Sequence, residues 1–297
     1  MKRGFVGYLA LALLKLLAQC PLPLSRAIGG AAGQIIYRLE RRSCRVARIN
    51  LALCYPHLEV EQREQLCHQR MVHMAQTLCE TPRLWRQSSD WLNRHVTGIE
   101  GGSLFDASVA NDHGTIFLVP HQGNWELVGL WLAQRTAITS LYETPKLQAL
   151  DAWIKSSRQR FGATLVPTNS RGVAALLKAL KSGQSIAILP DQQPPLSGGA
   201  FGQLFGVPAL TMTLVHKLLR RCSVNVVFCA ALRDAGGWHL HFLPADAEIY
   251  SDSDESSVDA LNRGVEKIAN LQPSQYQWEY KRFRSQPDGR VSIYDRQ

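Results

Sequence analysis

A buried strand, a short turn and a helix follow one another in the segment that most constrains the fold. This segment covers residues 114–135, GTIFLVPHQGNWELVGLWLAQR. The run 115–119 is apolar throughout and is bounded by glycine and proline, which is typical of a strand covered on both faces. Apolar residues then recur at helical spacing from Leu127, which predicts a helix that opens at Asn124 or a neighbour. The turn would lie at the carboxyl edge of an open sheet, where α/β proteins usually bind ligands.

The same alternation of strands and helices continues along the chain. Together the runs predict an α/β fold with a mainly parallel central sheet flanked by helices. The predicted strands are 137–142, 164–167, 186–190, 224–232 and 238–243, the last two paired as a hairpin about Asp234. The predicted helices are 147–161, 171–181, one capped by Thr211 that runs to Arg221, and 256–271. The glycine- and proline-rich stretch 191–202 is predicted to be a flexible lid.

The amino-terminal residues 1–50 are apolar and basic. They hold nine basic residues and one acidic residue, so their net charge of +8 accounts for most of the formal net charge of +9 of the whole chain. We therefore expect residues 1–50 to form an apolar helical membrane anchor whose basic end lies on anionic cytoplasmic headgroups of a membrane, and residues 51–297 to form the catalytic domain. The run from Phe5 to Leu17 is shorter than the roughly 20 residues needed to cross a bilayer, so it either spans with its flanks or lies in the interface. The basic residues are Lys2, Arg3, Lys15, Arg26, Arg38, Arg41, Arg42, Arg45 and Arg48.

Composition also argues against several classes of protein. No basic, aromatic-rich motif typical of a nucleic-acid groove occurs, so nucleic acid is not an expected partner. Seven cysteines without a C-x-x-C pair indicate neither a disulfide framework nor a zinc cluster. His68 and His73 are five residues apart and do not share a helix face well, so a metal site there is not expected. No cofactor is expected.

His121 and Glu126 are the candidate reactive pair in the turn after the first strand. A carboxylate bonded to one imidazole nitrogen fixes the tautomer and leaves the other nitrogen free to take a proton. No G-x-S-x-G elbow supplies a serine nucleophile. What remains is attack by a substrate hydroxyl on an activated acyl group, with the amides near Gly123 to Trp125 as candidate oxyanion donors. The alternative is a turn histidine that bonds a nearby carboxylate only to satisfy both groups.

Residues 121–126, HQGNWE, resemble the H-x4-D/E motif of membrane acyltransferases. Their surroundings resemble the bacterial lipid A late acyltransferases, which are lauroyl and myristoyl transferases. The blocks that carry this resemblance stand in the family's order and cover most of the chain. They are 171–173 (RGV), 180–184 (LKSGQ), 188–192 (ILPDQ), 205–211 (FGVPALT), 275–278 (QYQW) and 281–283 (KRF).

The resemblance implies acyl transfer from acyl carrier protein to a lipid hydroxyl at the cytoplasmic face of the inner membrane. It assigns His121 as the base and Glu126 as its orienting partner. Arg171, Asp191 and Gln192 would support the site or bind the acceptor's phosphates. For Asp191 the alternative is a loop-capping carboxylate, and for Arg171 it is a surface charge at a helix start. Asn124 and Trp125 would shape the turn or pack it.

One residue departs from the family pattern. Many members have Tyr-Arg-Pro where this chain has Tyr142-Glu143-Thr144-Pro145, so an anion replaces a cation that could bind an anionic acceptor. The identity of the acceptor therefore stays open, and transfer to a different lipid is an alternative. The donor, an acyl carrier protein thioester or a coenzyme A thioester, also stays open. The other functional hypotheses are a lipid esterase or thioesterase in which the same pair activates water, and a membrane-tethered lipid-binding protein without activity.

Overall fold

The computed structural model describes residues 2–110, 113–287 and 289–295. The predicted bounds 1–50 and 51–297 also include Met1, Arg296 and Gln297, which lie outside the described residues. The α-helices are α1 Lys2–Leu17, α2 Leu22–Arg38, α3 Arg42–Cys54, α4 Val60–Leu84, α5 Ser89–Arg94, α6 Gly102–Val109, α7 Trp125–Ala133, α8 Asp151–Arg158, α9 Ser170–Lys181, α10 Leu214–Leu219 and α11 Asp254–Leu271. The strands are β1 Val96–Glu100, β2 Thr115–Leu118, β3 Ile138–Tyr142, β4 Thr164–Pro167, β5 Ser185–Ile188, β6 Gly199–Leu204, β7 Val207–Met212, β8 Asn225–Arg233 and β9 Trp238–Pro244.

The central sheet has seven strands in the order β1-β9-β8-β2-β5-β3-β4. Every neighbouring pair in this sheet is parallel except β8 and β9, which form an antiparallel hairpin. The predicted α/β fold with a mainly parallel sheet flanked by helices is therefore confirmed, and so is the hairpin about Asp234.

Strand β2 lies in the middle of the sheet and is buried on both faces. Ile116 and Leu118 pack into one hydrophobic cluster, with α9 and α11, while Phe117 and Val119 pack into the other, with α7. Because both faces are covered, the strand has no polar alternation, which is why a continuous apolar run identified it correctly.

Two predictions about residues 191–221 are wrong. Thr211 does not cap a helix: it lies in β7, and α10 begins only at Leu214. The predicted lid is not a loop throughout, because its last four residues belong to Gly199–Leu204, which pairs with β7 and packs on α11. Leu204 is buried in the core there, so the strand is held by apolar packing that its glycine content did not indicate.

The amino-terminal helices pack against the rest of the chain. Helix α2 lies close along α4 because Gly29 and Gly33 have no side chain to separate the two backbones: a Cβ on either would come within 2.5 Å of an α4 Cα atom. Within the described ranges, no helix is both long enough and apolar enough to cross a membrane. The amino-terminal anchor expected from the sequence is therefore not supported as a spanning segment.

Candidate active site

The turn after β2 is held in place by two neighbouring segments. Gly123 has φ +58°, and a Cβ there would lie 2.0 Å from the Ala231 carbonyl oxygen, so only glycine fits. The Gly123 and Asn124 amides donate to the carbonyl oxygens of Gln275 and Ala231, at 3.1 Å and 2.8 Å. These bonds tie the turn to β8 and to the carboxyl-terminal segment, and they fix where His121 can point.

His121 is bonded to Asp191, which follows β5 at the same sheet edge. The imidazole Nδ1 lies 2.8 Å from Asp191 Oδ1, and the His121 backbone N–H donates to Oδ2 over 2.8 Å. The pair is buried, with side chains 11% and 2% exposed. A carboxylate can only accept when ionised, so it holds the proton on Nδ1 and leaves the Nε2 lone pair free.

The surroundings of Asp191 keep it ionised. Burial raises the pKa of the Asp191 carboxyl, but its electrostatic interaction with the His121 imidazole and the hydrogen bonds from the His121 side chain and backbone outweigh burial, so the net pKa is lowered. The buried phenol of Tyr276 is a further neighbour: burial first, and then the charge of Asp191, raise the pKa of Tyr276 well above its usual value. The negative charge at Asp191 is therefore a fixed feature of the site.

Gln192 faces the other imidazole nitrogen. Its side-chain Nε2 lies 3.2 Å from His121 Nε2 and also donates to Gln277 Oε1 over 3.1 Å. A neutral Nε2 accepts from this amide, which agrees with a proton on Nδ1. Asp191 and Gln192 thus hold opposite sides of one imidazole, and the structure brings both predicted supporting residues to His121.

Glu126 has different partners from those expected. It lies in the first turn of α7, and its carboxylate accepts from Arg158 Nε and Trp85 Nε1, each over 3.0 Å, and from a second guanidinium nitrogen of Arg158. The prediction that Glu126 orients His121 is therefore corrected, because Asp191 takes that place. Burial alone would lower the pKa of Arg158, but the charge of Glu126 outweighs it and the net pKa is raised.

Asn124 caps the start of α7, as predicted, and its side chain is hydrogen-bonded to Glu80. Its side-chain oxygen accepts from the Leu127 amide over 3.3 Å, and its Nδ2 donates to Glu80 Oε1 over 3.1 Å. Glu80 is fully buried and also binds Arg26 and Arg233. Burial raises the pKa of Glu80, but the charges and hydrogen bonds of Arg233 and Arg26 outweigh it, so the net pKa is lowered.

The remaining predicted residues lie at different places along the carboxyl edge of the central sheet. Trp125 packs its ring against His121, with centroids 5.0 Å apart. Arg171 is exposed at the start of α9, which follows the edge strand β4. Because the Gly123 and Asn124 amides are already bonded, of the three expected oxyanion donors only the Trp125 amide, at the first position of α7, stays a candidate.

Sequence reasoning missed Arg158, Trp85, Tyr276 and Gln277. Arg158 ends a helix and reads in sequence as an ordinary surface cation, and Trp85 follows the long helix α4. Tyr276 and Gln277 belong to the block 275–278, which had been singled out only for its resemblance. Its alternation of rings and polar groups was the available indication that it packs against a site.

Comparison with known proteins identifies the family. The chain is 25% identical to the lipid A biosynthesis palmitoleoyltransferase of Escherichia coli (strain K12) over 297 residues, covering 98% of this chain and 95% of that protein. It is also 25% identical to the lauroyltransferase of the same strain, with the same coverage, and 26% identical to a lipid A biosynthesis acyltransferase of Haemophilus influenzae, covering 97% of this chain and 90% of that protein. A sequence profile described as bacterial lipid A biosynthesis acyltransferase matches residues 1–285. The chain therefore belongs to the bacterial lipid A biosynthesis acyltransferase family, and it is an acyltransferase.

Proposed function

We propose that this protein transfers a fatty acyl chain from acyl carrier protein to a hydroxyl of a lipid A precursor, by direct attack of that hydroxyl. The observation that carries the mechanism is the His121 imidazole, with the Asp191 carboxylate on Nδ1 and an Nε2 that faces only the Gln192 amide, which the acceptor hydroxyl can replace. Family membership supports acyl transfer to a lipid A precursor. Acyl carrier protein as donor follows from the resemblance.

His121 is the only proton carrier that the reaction needs. The acceptor hydroxyl bonds Nε2 and gives up its proton as the oxygen attacks the thioester carbonyl carbon. The tetrahedral intermediate then breaks its carbon–sulfur bond, and the proton on Nε2 passes to the leaving sulfur. Asp191 stabilises the imidazolium that forms between these steps. The products are an ester and the free thiol of the carrier.

Gln192 and Arg158 are the side chains that we expect to contact the thioester or the acceptor. The Gln192 amide lies beside the nitrogen that must meet the hydroxyl, so it can donate to the thioester carbonyl oxygen as charge develops there. Arg158 is held by the buried Glu126 carboxylate, and its side chain remains 35% exposed. A fixed, partly exposed guanidinium can meet the oxyanion or an acceptor phosphate. We therefore assign Glu126 to positioning Arg158.

Exposed apolar side chains on α1 and α2 support attachment to a membrane surface. On α1, Val6, Leu9, Leu13 and Leu16 recur at helical spacing, and each is more than half exposed. Helix α2 carries a second exposed stripe on the side away from α4, formed by Leu24, Ile28, Ile35 and Leu39. Contiguous apolar surface of this kind marks an interaction site, and helices that lie in the interface bury such faces in lipid.

The position and charge of these helices suit a lipid acceptor. Helix α1 packs on residues 148–150, in the connection that follows β3 at the sheet edge that holds His121. Exposed arginines lie at the end of α2 and just after it, where they can bind anionic headgroups. They are Arg38, Arg41, Arg42 and Arg45. We propose that the protein lies on the cytoplasmic face of the inner membrane, and its seven free cysteines fit that reducing side.

His121→Ala tests the reaction. Purified full-length protein in detergent is given acyl carrier protein thioester with and without a lipid A precursor, and lipids and free fatty acid are measured by mass spectrometry. Loss of the base should lower transfer by about 100-fold to 10,000-fold. The control His57→Ala, at an exposed ring on the connection before α4, should transfer at the wild-type rate.

The other outcomes separate the alternatives. Wild-type transfer by folded His121→Ala protein would overturn the base assignment. Fatty acid released by the wild type at the same rate with and without acceptor, and no acylated lipid, would establish a thioesterase instead. Detectable turnover of either kind excludes a lipid-binding protein without activity.

Vesicle flotation tests the membrane surface. Leu9→Asp with Leu13→Asp should lower binding to vesicles that contain anionic lipid, because both charges would enter the interface. The control Val291→Asp replaces an equally exposed apolar residue outside this surface and should bind like the wild type. Equal binding by all three proteins would contradict the assignment of α1 to the interface.

A further inference from the structure

We propose that Glu100, His239 and His241 bind a divalent transition-metal ion of the zinc class at the β1–β9 edge of the sheet. One ligand atom from each of these side chains lies within 4.8 Å of the others. Across the described ranges, this is the one group of three such side chains found close enough to hold a metal, and it does not include His121. In the sheet order, β8 separates these two strands from β2 and its catalytic turn.

The backbone explains why these side chains converge. His239 and His241 are two residues apart on β9, so both project from the same face of the sheet. Trp238, Leu240 and Phe242 alternate with them and fill the core on the other face. Glu100 pairs with His241 in the parallel register of β1 and β9, which places its carboxylate beside that imidazole.

Gly98 provides the space that the arrangement needs. It pairs with His239 in the same register, and a Cβ there would lie 2.6 Å from His239 Cε1 and 2.9 Å from Nδ1. A side chain at this position would therefore push the ring away from its present place. Because Gly98 lies two residues before Glu100, the strand offers an open position next to a carboxylate on one face.

One ring nitrogen in this group, which could bind a metal, has no regular hydrogen bond to the described residues. The two imidazole rings are stacked with centroids 4.6 Å apart. His241 Nδ1 lies 3.1 Å from Glu100 Oε2, yet it is buried and makes no hydrogen bond of regular geometry with the described residues. A buried ring nitrogen of this kind is costly unless it gains a partner, and a metal ion is one.

The donor set indicates the class of ion. Two imidazole nitrogens and one carboxylate oxygen suit zinc and its neighbours in the first transition row, and they do not suit calcium or magnesium, which prefer oxygen ligands. The Glu100 side chain is 67% exposed, so the ion would have access from solvent and would keep water at its remaining positions. Bound there, it would tie the edge strand β1 to β9.

Metal binding is measured on full-length protein in detergent, free of any histidine tag and pretreated with a chelator. Competition with a chromophoric chelator should show one tight equivalent of Zn²⁺, and thermal unfolding should shift upward on adding ZnCl₂. His239→Ala, His241→Ala and Glu100→Gln should each weaken binding by more than about 10-fold, since losing even a partner of a ligand commonly costs about 10-fold to 100-fold.

A second histidine–carboxylate pair supplies the matched control. His216 Nε2 lies 2.8 Å from Asp254 Oδ1, and Asp254, like Glu100, is mostly exposed. This pair belongs to no three-ligand group in the described chain, so His216→Ala and Asp254→Asn should leave Zn²⁺ affinity unchanged. Equal weakening by both sets would show diffuse binding by surface histidines and would overturn the proposal.

Gly98→Ala tests the geometry without removing a ligand. Displacing the His239 ring should weaken Zn²⁺ binding while the protein still folds, as judged by a circular dichroism spectrum unchanged from that of the wild type. Wild-type Zn²⁺ affinity in Gly98→Ala, or no tight equivalent in the wild-type protein, would overturn the site. The readout is metal affinity, so the result is independent of whether the proposed acyl transfer is correct.

Discussion

The two ends of the HQGNWE motif, His121 and Glu126, are five residues apart in sequence and bind different charged partners. His121 bonds Asp191 from the connection after β5, whereas Glu126 bonds Arg158 at the end of α8. The reason is structural: His121 stands on the turn beside β5, while Glu126 is already in the first turn of α7 and faces α8. Closeness in sequence therefore did not make them a pair.

The two pairs also differ in what they can do. The His121–Asp191 pair is buried and joins a carboxylate to an imidazole whose second nitrogen can accept a proton. Arg158, in contrast, stays charged at every usable pH and keeps about a third of its side chain exposed. One end of the motif is thus suited to moving a proton, and the other to presenting a fixed positive charge.

Asp191→Asn should have the largest effect on this comparison. An asparagine amide can donate to Nδ1, which favours the proton on Nε2 and removes the base. In the comparable aspartate-to-asparagine change of a serine protease the cost is about 10,000-fold in kcat, and we expect a loss of that order here. The measurement is kcat for transfer from acyl carrier protein thioester.

Glu126→Gln is the comparison for this experiment. If Glu126 were the orienting carboxylate, Glu126→Gln would lower kcat by about 10,000-fold, and Asp191→Asn would lower it little. That reversed order of kcat values would restore the pairing expected from the motif and refute the one seen in the structure.

Arg158→Lys should have an intermediate effect. Lysine keeps the charge but loses the two parallel hydrogen bonds to Glu126, so the cation is no longer held in one position. If Arg158 stabilises the oxyanion, transfer should fall by about 100-fold to 1,000-fold. A proton-transfer role would alter the pH dependence of kcat, whereas a fixed charge should leave its shape unchanged.

A matched control for this change is Arg263→Lys. Arg263 also makes two hydrogen bonds to carboxylate groups, one to Asp246 and one to Glu248, but it lies on α11 away from the turn. We expect wild-type transfer by this variant. An equal fall in both variants would indicate a general loss of stability and would remove the case for Arg158 in the site.

The sequence indicated the strands and helices of the α/β alternation well because each has a distinct apolar period. It did not indicate that β5 lies beside β2, since β3 and β4 come between them along the chain. Asp191 could therefore be named as a supporting residue but not placed on His121. The helix start at Asn124 was predictable because its cap depends on neighbouring residues alone.

Long-range pairing explains the other failures as well. Glu80 lies on α4 and binds Asn124, Arg26 and Arg233, which come from three distant parts of the chain. In sequence it is one of several acidic residues on a helix, and nothing local distinguishes it. The strand β6 was missed for a related reason: its glycines suggested a loop, but its pairing with β7 and packing on α11 decide its structure.

The smallest expected effect is on the pH dependence of stability, and it bears on the charge of the His121–Asp191 pair. Because the folded-state pKa of Asp191 is lowered, ionised Asp191 stabilises the folded protein above its unfolded pKa of about 3.9. That stabilisation is lost as the pH falls through the lower folded-state pKa, and each unit of lowering corresponds to about 1.4 kcal/mol. The difference in melting temperature between the wild type and Asp191→Asn, followed by tryptophan fluorescence, should therefore shrink as the pH falls from about pH 5 to about pH 3. A difference that stayed constant down to pH 3 would mean that Asp191 gains no stabilisation from its charge in the folded state, and the contrast between the two ends of the motif would then depend on hydrogen bonding alone.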